Sequence, residues 1–326
     1  MQRLLRRWRP RDAAETKLLN EGIEKSIHEL RQLGRRHTPE QFESAPVVTR
    51  AKSAVQLCRL GNLMYENAET DEDETRKALF LWKKAMEKGS DAAKFSYAMC
   101  LKKGIGVDGP NINEATKYFQ ELTTAGHAWG TFAYADALSK GDGVRKNEKK
   151  AFELFKRCAD HGIPPAYMNV ANMYQSGTGT EKNEHESIVY LHKAADAGDP
   201  SAKARLGELY FHGKGVPQDR PKAVRFYKEA AVLGVVTAQF NLGFLFLTGD
   251  GVPRNALQAE ALFRQAADQG FVMAMVNLAQ MYRTGYDDVP QNVELARKWL
   301  ELAAPHDLNA KELLQMMDSA DKADTQ

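Results

Sequence analysis

The chain has 326 residues, 43% of them hydrophobic and 27% charged, with a formal net charge of +2. That balance excludes a disordered polyelectrolyte, and no apolar run approaches the ~20 residues of a membrane helix, which excludes a helical membrane protein. The charge is uneven: residues 1–11, "MQRLLRRWRPR", hold five arginines and no acid, leaving 40 basic against 43 acidic residues in the rest.

In that first segment Leu4, Leu5 and Trp8 cluster on one helical side among Arg3, Arg6, Arg7, Arg9 and Arg11. An acid-free, arginine-rich amphipathic start predicts a mitochondrial address, with a cytoplasmic location as the alternative; the continuous apolar core of a secretory signal is missing. Otherwise the arginines serve as an anchor for an acidic partner, a lipid headgroup or RNA. Residues 12–53 follow as a helix and linker. Leu19, Ile23, Ile27 and Leu30 keep helical spacing up to Gly34, and residues 35–50 contain two prolines.

Over residues 54–305 the elements repeat. "GIGVDG", 104–109, matches the G-x-G-x-x-G of a dinucleotide-binding turn, which has that meaning only between a strand and a helix. The preceding "DAAKFSYAMCLKK" is helically spaced instead, and Gly-x-Gly returns at 141, 177, 213 and 249 before a last Gly285, after one step of 37 residues and then steps of 36. A period of this size predicts stacked repeats. Bulky residues keep the same period at Trp82, Phe119, Phe155, Leu191, Tyr227, Phe263 and Trp299. Small ones do so at Ala78, Ala115, Ala151, Ser187, Ala223 and Ala259, and terminal glycines at 89, 126, 162, 198, 234 and 270.

The fifth copy, residues 199–234, shows the unit. Asp199 is a natural N-cap, Pro200 suits the first helical position, and Gly213 suits a left-handed stop. Asp219 then caps a second helix with Ala223, Phe226, Tyr227, Ala230 and Ala231 on one stripe. Asn111, Asn147, Asn183 and Asn255 take the same capping position in other copies. The unit is a helix hairpin, with Gly207 expected opposite Ala223 and Ala230, and the bulky column expected between neighbouring hairpins. The acidic stretch "ETDEDET", 69–75, lacks the glycine and alternating ligands of a calcium loop and predicts Asp73 as a helix cap.

The pattern A-x-x-x-L-G-x-L-Y-x-x-G-x-G-V, followed by K-A, an aromatic, K-x-A-A and G, resembles the Sel-1-like repeat, a relative of the tetratricopeptide repeat. Seven copies are expected, near 54–89, 91–126, 128–162, 165–198, 201–234, 237–270 and 273–305. Residues 306–326 form a capping helix and tail with Leu313, Leu314 and Met317 turned inward. The resemblance implies an all-α, α-α superhelix (solenoid) of about seven Sel-1-like helix hairpins with an N-terminal helix and a C-terminal capping helix.

No catalytic signature appears: the histidines are scattered, and His185 and His192, seven apart, make an incomplete metal set. Cys58, Cys100 and Cys158 have no C-x-x-C spacing and predict reduced, buried thiols. No enzymatic activity, cofactor or metal is expected. A slightly acidic array disfavours nucleic acid except through the N-terminal arginines. The expected function is a non-enzymatic protein-protein interaction scaffold or adaptor, within a mitochondrial complex or its assembly, binding an apolar or amphipathic segment in the concave groove. That segment is expected along copies five to seven, where "AQFNLGFLFL" is apolar all round and Phe244 is the expected anchor. The alternative is an RNA- or ribonucleoprotein-associated protein using the basic tail. In tetratricopeptide-like arrays the first helix of each hairpin lines a concave groove. The resemblance thereby implies partner contacts at Phe95, Met99, Phe132, Asp136, Met168, Asn172, Ala204, Glu208, Phe240, Phe244, Val276 and Gln280, with Leu247 on the side of Phe244. The lysine-asparagine clamp for a C-terminal carboxylate is not assembled, because Asn169, Asn241 and Asn277 lack lysines beside them.

Overall fold

The computed structural model describes Val48, Ala51, residues 53–68 and residues 71–324. The arginine-rich segment and almost all of the expected helix and linker lie outside the described residues. Helices make up the described fold, with a single isolated bridge between Tyr286 and Val289 among those residues. The chain divides at Ile163 into two units.

Among the described residues the first unit holds three antiparallel hairpins: α1 (Ala54–Asn67) with α2 (Glu72–Glu87), α3 (Asp91–Lys103) with α4 (Ile112–Thr124), and α5 (Ala128–Lys140) with α6 (Glu148–Asp160). The second holds four: α7 (Pro164–Ser176) with α8 (Glu184–Asp196), α9 (Pro200–His212) with α10 (Arg220–Val232), α11 (Val236–Thr248) with α12 (Ala256–Asp268), and α13 (Val272–Thr284) with α14 (Val293–Ala303). The closing helix α15 (Leu308–Asp324) follows. Within each unit every helix packs on its sequence neighbours, as an apolar stripe on each face of a hairpin requires.

Local chemistry sets each hairpin. In the fifth copy Asp199 Oδ1 accepts from the Ala202 amide at 2.8 Å, and α9 stops at Gly213, whose φ of 71° belongs to the left-handed region. The loop then folds back, and the Asp219 amide donates to the Tyr210 carbonyl at 2.9 Å while Asp219 caps α10 through Lys222. The same return bond joins Asn111 to Leu101, Asn147 to Leu138, Asn183 to Tyr174, Asn255 to Phe246 and Asn292 to Tyr282. The second helices of these hairpins thus inherit one geometry.

The second glycine of the Gly-x-Gly pair serves packing at Gly106, Gly143, Gly215 and Gly251. A Cβ on Gly251 would come 2.7 Å from Cβ of Arg220, and one on Gly143 2.7 Å from the Ile112 carbonyl oxygen. In these copies the second glycine lies against the first turns of the preceding hairpin's second helix, at Thr75 and Leu79, Ile112 and Thr116, Glu184 and Ile188, and Arg220. A helix, α3, enters the "GIGVDG" loop where a nucleotide fold needs a strand.

Three sequence expectations change. The Tyr227 ring is the nearest neighbour of Gly207, where a Cβ would meet Tyr227 Cδ1 at 2.8 Å. The small-residue column lies close behind in other copies, with the Ala78 carbonyl oxygen 3.2 Å from a Cβ on Gly61 and the Ala259 carbonyl oxygen 3.3 Å from one on Gly243. Gly243 seats Phe263 and Gly61 seats Trp82 in the same way, so these bulky residues pack across their own hairpin. Second, α2 begins two residues earlier than a cap at Asp73 requires; Asp71 is the cap and accepts from the Asp73 and Glu74 amides. Third, Leu300 rather than Trp299 completes the bulky column. The loop after Gly285 is one residue longer, moving the cap to Asn292, and Ala296, Leu300 and Ala303 become fully buried in its wake. Trp299 is left half-buried, with no partner for its indole N–H among the described residues. At the C-terminal end Met317 is buried and Leu313 and Leu314 are half-buried.

Candidate functional site

The helix α11, "VTAQFNLGFLFLT", is apolar on nearly every side. Ala238, Leu242, Gly243, Leu245 and Phe246 are enough to fill its core-facing stripe, and all are buried. Phe240 and Phe244 are surplus to that requirement. Phe240 is half-buried against Phe263 and Phe271, with ring centroids at 5.6 and 5.1 Å, while Phe244 remains 46% exposed.

Both line a groove of about 630 Å³ within the second unit. One wall comes from α9 through Ala204, Arg205, Glu208 and Phe211; the other comes from α11 and from Phe271 and Met273 at the start of α13. Tyr227 forms part of the floor. Burial first, and the nearby Glu208 second, push its phenol up to about 12, so it stays neutral, with the Asn241 side chain as its hydrogen-bond partner. Arg205 donates to Asn172 Oδ1 at 2.6 Å, and burial pulls its pKa below the usual arginine value against the opposing effect of Glu208. Glu208 itself lies 4.0 Å from Lys214.

Of the residues implied by the resemblance, Ala204, Glu208, Phe240 and Phe244 meet in this groove. Leu247 is half-buried and does not line it, and Val276 and Gln280 lie further along α13. Met168 is half-buried on α7, and Asn172 holds Arg205. In the first unit Phe95 packs against Phe119 and His127, Phe132 packs against Trp129 and Phe155, and Met99 is half-buried. Asp136 is engaged by Lys102 at 3.1 Å and Lys140 at 2.7 Å.

Arg205, Phe211, Asn241, Phe271 and Met273 are not singled out by the spacing argument. A signal for Phe271 is present: it and Val235 hold the N-cap position that Asp199 fills in the fifth copy, and neither makes a side-chain capping bond. Apolar residues at a capping position forgo a stabilising bond, which marks them for another contact.

The thiols of Cys58, Cys100 and Cys158 are free and buried, and they act as small apolar side chains. Desolvation raises Cys100 to about 12 and Cys158 to about 11. Among the described residues no three His, Cys, Asp or Glu side chains are placed to hold a metal ion; His192 Nε2 lies 3.1 Å from the Tyr210 hydroxyl. No described helix is long and apolar enough to cross a membrane.

No curated protein matches the chain by sequence. Among solved structures it is similar to a protective antigen present in uropathogenic Escherichia coli strains displaying an SLR fold, at 26% identity and a TM-score of 0.76. That match covers 93% of this chain and 65% of the antigen, so the chain spans about two thirds of that protein's length. It is also similar to a Sel1 repeat protein from Oxalobacter formigenes, at 27% identity and a TM-score of 0.66, over 77% of this chain and 100% of the other. The Sel1 repeat model matches residues 57–90, 91–127, 130–163, 164–199, 200–235, 236–271 and 272–304, which are the seven hairpins. The chain therefore belongs to the Sel1-repeat family of all-α superhelical proteins, whose members are in general scaffolds for protein-protein interaction.

Proposed function

We propose that this protein is a non-enzymatic interaction scaffold that receives an apolar or amphipathic segment of a partner, in helical form, in the groove bounded by α9, α11 and the start of α13. The exposure of Phe244 beside Phe240, Phe271 and Met273 carries this reading: a contiguous apolar wall in water is stabilised when a partner covers it, and the hairpin core does not need these rings. A photo-crosslinking phenylalanine analogue in place of Thr237, an exposed residue lining the same groove, tests it in the native source. Crosslinks to one protein are expected, and they should be lost when Phe244→Ser is added with helical melting unchanged. Crosslinks that survive the substitution would show that Phe244 does not anchor the partner, and unfolding of the Phe244→Ser protein would show the ring to be core instead.

The mitochondrial setting is proposed from residues 1–11 alone, and fusing residues 1–34 to a fluorescent protein tests it; a diffuse cytosolic signal would overturn it. Salt-sensitive retention on RNA that disappears on deleting residues 1–11 would favour the ribonucleoprotein alternative.

A further inference from the structure

Arg205 is the feature of the groove that an apolar occupant leaves unexplained. Its guanidinium offers five N–H donors, and its one hydrogen-bond acceptor among the described residues is Asn172 Oδ1, a neutral amide. Among the described residues no carboxylate lies within ion-pair distance of it. Glu208, three residues on, makes its one ion pair among the described residues with Lys214, at 4.0 Å between two exposed side chains, and Glu229 is held by Lys203 at 2.6 Å. His212, also in the lining, offers no compensating negative charge. In the open groove, water serves the remaining donors. Glu208 lines the same groove and favours the charged guanidinium from beyond ion-pair distance. A segment covering Phe240 and Phe244 removes the water, and a covered guanidinium with no acid in direct contact opposes binding.

We propose that the segment received by this groove carries an acidic side chain beside its apolar anchor, and that this carboxylate pairs with Arg205. The planar guanidinium suits a two-pronged bond to a carboxylate. The five arginines of residues 1–11 would instead face a like charge here, which argues against that segment as the occupant. This inference rests on the groove reading above.

The test uses the full chain and fluorescent amphipathic peptides of Ala, Leu, Phe and Gln, about twelve residues long, in which one position at a time carries Asp, Asn or Lys. Fluorescence polarisation is expected to show about ten-fold tighter binding for the best Asp peptide than for its Asn counterpart, the ratio that one charge-assisted bond supplies. Arg205→Gln should erase that ratio while still binding the Asn peptide and melting as the parent does. Equal binding of Asp and Asn peptides, a preference for Lys, or a ratio that persists in the variant would overturn the inference and leave the groove reading standing. Failure of every series to bind would overturn both.

Discussion

The Arg205 guanidinium meets the Asn172 amide oxygen at 2.6 Å across 33 residues of sequence. A neutral partner positions the cation without cancelling its charge. Asn172→Asp should cancel it, raising stability by about 0.2–1 kcal/mol, the range for an exposed pair, and weakening Asp-peptide binding by about ten-fold. Urea midpoints and peptide titrations check both; unchanged affinity would remove Arg205 from recognition.

Close approach and left-handed backbone make separate demands on glycine. Gly207→Ala would set a Cβ 2.8 Å from the buried Tyr227 ring and is expected to cost about 1–3 kcal/mol. Gly213→Ala, at φ 71°, should cost about 1 kcal/mol. Gly251→Ala combines both demands and should cost most. Denaturant midpoints rank the three, and NAD or ATP should leave the parent's Tm unchanged.

Val235 occupies a capping position without capping and also lines the groove. Val235→Asp should supply the missing bond, worth about 0.5–2 kcal/mol, while placing an acid in the partner's path. Stability held or raised with binding lost is the expected result. Binding retained would place the partner elsewhere.

His127 Nδ1 accepts from the Gly130 amide at 3.0 Å, so this nitrogen must be unprotonated. Burial lowers its pKa, against a smaller opposing effect of Asp91. The unfolded chain therefore takes up this proton first as pH falls. The stability contribution is complete above the unfolded value of about 6.5 and is lost progressively as pH falls through the lower folded value. Urea midpoints should drop as pH falls below about 6.5, and His127→Asn, which keeps an acceptor without titrating, should flatten part of that drop.

Burial raises the pKa of all three thiols. A thiol-specific reagent at about pH 8 should react slowly with the native protein and promptly with every cysteine in denaturant. Fast native labelling would show that one of these sites opens.

The hairpins are legible in the sequence because their signals are local and periodic. An N-cap must stand just ahead of its helix and a left-handed stop just after it, and each copy restates these needs at the same interval. The same regularity misleads at its interruptions. One added loop residue after Gly285 moves Leu300 into the place that strict counting assigns to Trp299, and only the packed helices reveal the shift.

The sequence by itself determined the hairpin, its caps, the repeat family and the surplus of apolar residues on α11. Tertiary structure decided which of those residues stay in water, because exposure depends on what the neighbouring helices cover. It left Phe244 open and packed Phe95 and Phe132 against aromatic neighbours. It also brought Arg205 and Asn172 together and put Phe271 against Phe240; these pairings come from hairpin stacking, which spacing along one helix does not encode.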